Sequence, residues 1–186
     1  MSENLRAFTS SLYGFDAVVQ RVQPDQWAND SPCEGWCARD VLAHQMGVLT
    51  AVTEIARSGE MVGPGDVELG DDPVAEWNQV RDDVLAALDQ QGVLQQEGQF
   101  FFGKPTVDAL VGFVAWDPLG HSWDLAQATG QEAHADPTVA QHVLHTITPM
   151  ADTLRTYGVM GDPVAVDADA DAMTQFLGLT GRDPNR

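Results

Sequence analysis

Leu5, Phe8, Leu12, Phe15, Val19 and Val22 follow one another at steps of three and four residues. That spacing keeps apolar side chains on one side of an α-helix but would scatter them over both faces of a strand. Residues 3–22 therefore predict an amphipathic helix that stops before Pro24. The period returns in Val41, His44, Val48, Val52 and Ile55, and again in Val74, Trp77, Val80, Val84 and Leu88. It recurs in Leu110, Val114, Asp117, His121 and Leu125, and in Val139, Val143, Ile147, Met150 and Leu154. No convincing alternation of period two competes with it. Each apolar stripe needs another to pack against, so the chain is expected to be all-α, a four-helix bundle with shorter satellites.

Breakers and caps divide these stripes. A second helix is predicted from about Cys37 to Ser58, and Asp72-Pro73 opens a third that Gly92 ends. Aspartate accepts from free amide groups at a helix start, and proline tolerates the first helical position. Thr106 caps a fourth helix stopped by Gly130, and Asp136-Pro137 opens a fifth that runs to about Tyr157. The C-terminal extension predicts a short extended piece and a small helix around Ala170 to Leu179. Residues 59–72, rich in glycine and acids, predict an exposed, mobile loop that could serve as a lid or pocket wall, as could the "QFFFGK" segment. Residues 1–186 are expected to form one domain.

Charge narrows the function. Twenty-eight acidic residues face nine basic ones, a formal charge of −19, and Lys104 is the only lysine. Such a field repels phosphate backbones and anionic lipid, so neither nucleic acid nor a membrane is an expected partner. No run approaches the ~18 apolar residues of a membrane span, and the N-terminus has no secretory leader pattern, so a cytoplasmic protein is expected. Cys33 and Cys37 are too few for a disulfide framework, and reduced, largely structural thiols are the plain expectation.

One stripe is unusual. Asp117 and His121 lie four residues apart on the inward face of the fourth helix, with Pro118 between them, and His44 lies on the inward face of the second. Three N/O donors from two helices of one bundle make the facial arrangement expected of a divalent metal with open positions. The same residues also suit hydrogen-bonded core positions. Pro118 lacks the N–H that would reach the carbonyl of Val114, so a kink is predicted beside these residues. His134, His142 and His145 have no comparable third donor and are expected to be exposed or locally hydrogen-bonded. Asp124, one turn beyond His121, is read as structural, bonding near the loop that precedes the second helix.

Three segments occur together in order: "SPCEGWCARDVLAHQMG" before and within the second helix, "HSWDLAQATG" closing the fourth, and "LGLTGRDP" at the C-terminus. With these motifs the chain resembles the DinB-like superfamily, specifically actinobacterial metal-binding proteins related to the N-terminal domain of mycothiol-dependent maleylpyruvate isomerase. The resemblance implies a DinB-like four-helix bundle in which a divalent metal is held by a histidine of the second helix and a Glu-x-x-x-His pair of a later one. By motif position these are His44, Asp117 and His121, with Asp117 standing where the family usually has glutamate. Zinc is the first expectation, with nickel or another divalent ion as alternatives, and mycothiol is the implied cosubstrate. The isomerase has a further C-terminal domain, so isomerisation itself is not carried over.

Two functions follow as expectations. One is a metal-dependent thiol S-transferase or isomerase-like protein acting on a small electrophile. The other is a non-catalytic bundle that binds a small ligand or metal, its metal site degenerate, in a cavity that Trp36, Trp116, Trp123 or Phe101 lines. Either could be a monomer or a homodimer.

Overall fold

The computed structural model describes residues 1–60, 63–100 and 103–185. Its elements are α1 (Glu3–Val19), α2 (Ala38–Ser58), α3 (Pro73–Leu88), α4 (Val107–Val114), α5 (Trp116–Thr129), α6 (Pro137–Ile147), α7 (Ala151–Thr156) and α8 (Ala172–Leu179). Among the described residues there are isolated β-bridges but no strand. The chain is all-α, as its periodicity requires.

The helix starts lie where short polar side chains can accept from free amides. Asp72, Thr106, Asp136 and Asp171 each cap the helix that follows with a side-chain oxygen. Cys37 is the N-cap of α2: its backbone N–H donates to Asp40 Oδ2 at 2.8 Å, which closes a capping box and gives this cysteine a structural role.

The fourth and fifth predicted helices are each broken by a proline. The fourth is interrupted at Ala115, three residues before Pro118, and restarts as α5. The fifth becomes α6, a 3₁₀ turn over Thr148–Met150 and the short α7. Pro149 cannot donate to the preceding turn and its ring crowds it, yet the apolar stripe runs on through the turn.

α5 packs against α1, α2 and α6, and α2 also packs against α3. Apolar side chains from every helix join one continuous core. Phe15 of α1 meets the buried Trp77 of α3 edge-on at 5.0 Å, and Trp77 Nε1 donates to Asp16 Oδ1. α5 is therefore the inner helix: every residue from Trp116 to Ala126 is buried, including Asp117, His121, Ser122 and Asp124. Buried polar groups on this scale must find partners: Ser122 donates to the Leu119 carbonyl within α5, while the partners of Asp117, His121 and Asp124 lie in α5 itself, α2, the loop before it and the C-terminal tail.

Over residues 63–72 the acidic loop is exposed, as expected, apart from the half-buried Val67 and Leu69, and it is tied to α2. Arg39 of α2 donates to the carbonyls of both Leu69 and Gly70. A side chain at Gly47 would come within 2.8 Å of the Gly65 carbonyl, so glycine at that position lets the loop lie directly on α2. Val67 and Leu69 pack against the core edge. Among the described residues, 63–72 thus form a docked flap, and its cleft with α2 is lined by Arg39, Asp40, Ala43, Val67, Glu68 and Leu69. In the "QFFFGK" segment, Phe100 packs on the core and pairs with Gly103, while Phe101 lies outside the described residues.

Candidate metal centre

The site is assembled from a turn, two helices and the tail. In Cys33-Glu34-Gly35-Trp36 the Trp36 N–H donates to the Cys33 carbonyl at 3.1 Å, and Gly35 takes φ 79°, a conformation glycine adopts without steric cost. The turn sets the Trp36 ring 5.9 Å from the His121 ring, nearly parallel to it, and 5.1 Å from the His44 ring. The two imidazoles meet edge to face at 4.9 Å.

Asp117 lies between the two histidines. Its Oδ1 is 3.3 Å from His44 Nε2 and 3.7 Å from His121 Nε2, and one ligand atom from each residue lies within 4.8 Å of the others. Two donors at ~2.1 Å from a common zinc ion, at a tetrahedral angle, stand ~3.4 Å apart, so the observed separations fit one small divalent ion. His44 is the open side: its side chain is 28% exposed, against 11% for Asp117 and 9% for His121. The second carboxylate oxygen of Asp117 accepts from Gln45 Nε2, leaving Oδ1 for the histidines.

These neighbours set the charge states. Burial alone would lower the pKa of His44, but the facing Asp117 carboxylate outweighs it and raises the pKa above the ordinary imidazole value. Burial would raise the pKa of Asp117, yet the two imidazoles and the Gln45 amide reverse this and hold it low.

A second cluster backs the first. His121 Nδ1 lies 2.8 Å from Asp124 Oδ2, and the Cys33 thiol donates to the same oxygen at 3.3 Å. Arg182 grips that carboxylate, with Nε 3.0 Å from Oδ1 and Nη2 2.7 Å from Oδ2. Burial would raise the pKa of Asp124, but its bonds with His121 and Arg182 keep it well below the carboxylate range. Burial and the Asp124 charge push the Cys33 thiol up to about 12, so it remains protonated at neutral pH. One ligand atom from each of Cys33, His121 and Asp124 also lies within 4.8 Å of the others, but the Arg182 guanidinium already supplies the positive charge at that carboxylate.

The structure thus brings together His44, Asp117 and His121, the three residues selected from periodicity and motif position. Asp124 bonds to the loop before α2 through Cys33. His142 Nε2 pairs with Asn4 Oδ1 at 3.0 Å and His134 is solvent-exposed, both away from this centre. Sequence reasoning did not find Gln45, Cys33 or Arg182 as members of the site. The "LGLTGRDP" motif contained a signal for Arg182, because it is the one C-terminal motif carrying a basic residue beside a helix-ending glycine.

Comparisons with known proteins agree with this architecture. Over 98% of this chain and 90% of the other, the fold matches a crystal structure of a histidine-to-alanine mutant of the mycothiol-dependent maleylpyruvate isomerase, with a TM-score of 0.59 and 14% identity. That likeness is one of fold. Two uncharacterised proteins of Mycobacterium tuberculosis, from strains CDC 1551 and H37Rv, are each 27% identical over 189 residues, covering 96% of this chain and 98% of theirs. The family profile described as mycothiol maleylpyruvate isomerase N-terminal domain matches residues 9–126, more than half of the chain and the segment that holds all three donors. The chain belongs to the mycothiol maleylpyruvate isomerase N-terminal domain family, within the DinB-like proteins.

Proposed function

We propose that the protein is a metal-dependent thiol S-transferase-like enzyme that joins a mycothiol-type thiol to a small electrophile. The observation that carries this reading is the convergence of His44, Asp117 and His121 on one point that is open on the His44 side. A divalent ion there would supply Lewis acidity, which makes a coordinated thiol ionise at neutral pH. The chain's own residues do the rest. His44 and His121 would offer neutral nitrogen donors, Gln45 orients Asp117, and the Trp36 ring excludes water from one side of the imidazoles.

Cys33 does not act as the nucleophile in this reading, because a thiol with a pKa near 12 is protonated and tied to Asp124. The attacking thiol must therefore be brought in by a cosubstrate. Untagged protein should carry stoichiometric zinc or nickel that is lost in both His44→Ala and His121→Ala with helicity retained. Metal-loaded protein should conjugate mycothiol to at least one of a panel of electrophiles, and no metal-dependent turnover with any of them would refute the enzyme.

Asp117 favours a second reading, a binding bundle without turnover. Its carboxylate is one methylene shorter than the glutamate that the family resemblance implies, and it is already engaged by Gln45 and His44. Thermal stabilisation by a small ligand in metal-free protein, with no conjugation in metal-loaded protein, would select that reading.

A further inference from the structure

The proposed metal reading leaves "LGLTGRDP" without a task, and it leaves a glycine in a buried helix, Gly120, unexplained. The two features meet at Arg182. At the end of α8 the Arg182 N–H donates to the Leu177 carbonyl at 2.8 Å and the Gly181 N–H to the Gly178 carbonyl at 3.3 Å. Gly181 has φ 88°, so together these bonds form a Schellman ending that fixes the direction in which Arg182 leaves the helix. The position is tight: a side chain on Gly181 would come within 2.8 Å of the Gly161 backbone.

From there the guanidinium reaches across to α5. A Cβ at Gly120 would lie 2.9 Å from Arg182 Cζ and 3.0 Å from Nη2, so the missing side chain of Gly120 is the notch in which the guanidinium rests. The Arg182 side chain is 12% exposed, and the hydrogen bonds of its guanidinium go to Asp124. An ionised carboxylate has no proton to donate, so the His121 nitrogen facing Asp124 must be an N–H donor. That nitrogen is Nδ1, which in the neutral imidazole leaves the lone pair on Nε2, the atom turned toward Asp117 and His44.

We propose that Arg182 is a positioning residue for the metal centre: seated in the Gly120 notch, it holds Asp124 so that His121 keeps its proton on Nδ1 and presents Nε2 as a donor. The inference rests on the proposed metal reading for its use, but not for its geometry. Second partners of this kind typically change metal affinity 10–100-fold when removed.

The competing assignment is that Cys33, His121 and Asp124 form a metal site of their own, with Arg182 competing against the ion for Asp124. The two assignments predict opposite results. With Arg182 as a positioning residue, Arg182→Gln should lower zinc affinity ~10–100-fold in chelator competition, and Arg182→Lys and Cys33→Ala should each lower it less. Cobalt-loaded protein should show no sulfur-to-cobalt charge-transfer band. Tighter zinc binding by Arg182→Gln, or a sulfur-to-cobalt band lost in Cys33→Ala, would overturn the proposal.

A second readout needs no metal. In ¹⁵N-resolved imidazole spectra of the metal-free protein, His121 should be a single Nδ1–H tautomer in wild type and Cys33→Ala, and a mixture in Arg182→Gln. An unchanged tautomer in Arg182→Gln, with the fold intact by circular dichroism, would refute the positioning role even if the wild type bound no metal. Failure of wild type to bind metal, with the tautomer shift present, would instead refute the metal reading and retain the Arg182 geometry. Should Arg182→Gln not fold, Arg182→Lys and Gly120→Ala carry the same spectral test, because the first replaces the guanidinium with an ammonium and the second displaces it.

Discussion

Asp117 is one methylene shorter than the side chain its relatives are expected to carry, and the structure shows how its reach is managed. Gln45 holds one oxygen, and the other is turned to the two imidazoles. Gln45→Leu should therefore leave a buried carboxylate oxygen unpaired, at a cost of ~1–3 kcal/mol in urea denaturation. It should also weaken metal binding in chelator competition, while Gln45→Glu, which sets two carboxylates against each other, should weaken folding further. Residues of this kind divide by how far their signal travels along the chain. Asp117 and His121 are legible because their four-residue spacing is local, and His44 because it sits on an apolar stripe. Gln45 is masked by being the neighbour of a better candidate. Arg182 is 58 residues from Asp124, and no periodicity records so distant a pairing.

At the scale of elements, the starts of α3, α4 and α6 were legible to the residue because a cap is a local bond between a short side chain and the next turn. Of the two breaks, the kink expected beside Asp117, in the turn that Pro118 crowds, is the break found at Ala115, whereas the interruption at Pro149 has no such signal, since its apolar stripe continues on both sides. The restart at Trp116 puts Pro118 in the first turn of α5, where backbone N–H groups lack helical partners in any case. Pro118→Ala should thus change stability by less than ~1 kcal/mol in urea denaturation, not the ~3 kcal/mol associated with a proline inside a helix. Another tie acts between elements: Asp16 of α1 accepts from Trp77 and Arg81 of α3. Burial would raise its pKa, but a bond from Gln20, those from Trp77 and Arg81, and the Arg81 charge win and lower it. A depressed carboxylate adds stability that is complete above the unfolded value of ~3.9 and lost as pH falls through the lower folded one. Asp16→Asn should flatten this part of the acid limb, as read by urea midpoints between pH 5 and pH 2.

For the molecule as a whole, one core explains why the helical order was legible, while the docked flap of residues 63–72 was hidden by its loop-like composition. Charge and breaker counts describe what a segment avoids, and they carry no trace of the Gly47 surface on which it rests. No helix among the described residues is long and apolar enough to cross a membrane. If the proposed centre binds a divalent ion, the ion stabilises the whole fold through mass action. At 100 times the dissociation constant this amounts to ~2.7 kcal/mol, or ~5–10 °C in Tm for a domain of this size. A zinc titration followed by calorimetry should show that shift in wild type and lose it in His44→Ala.

The Arg182 grip also has a consequence in time. A ribosome adds ~5–20 residues per second, so the 58 residues between Asp124 and Arg182 take ~3–12 s to appear after the aspartate has been made. During that interval the nascent chain contains all three donors, but the carboxylate behind His121 has no cation to steady it. Maturation of the centre is thereby tied to a segment made well after the donors, and a product cut short before Arg182 would carry the donors without the brace that orients them.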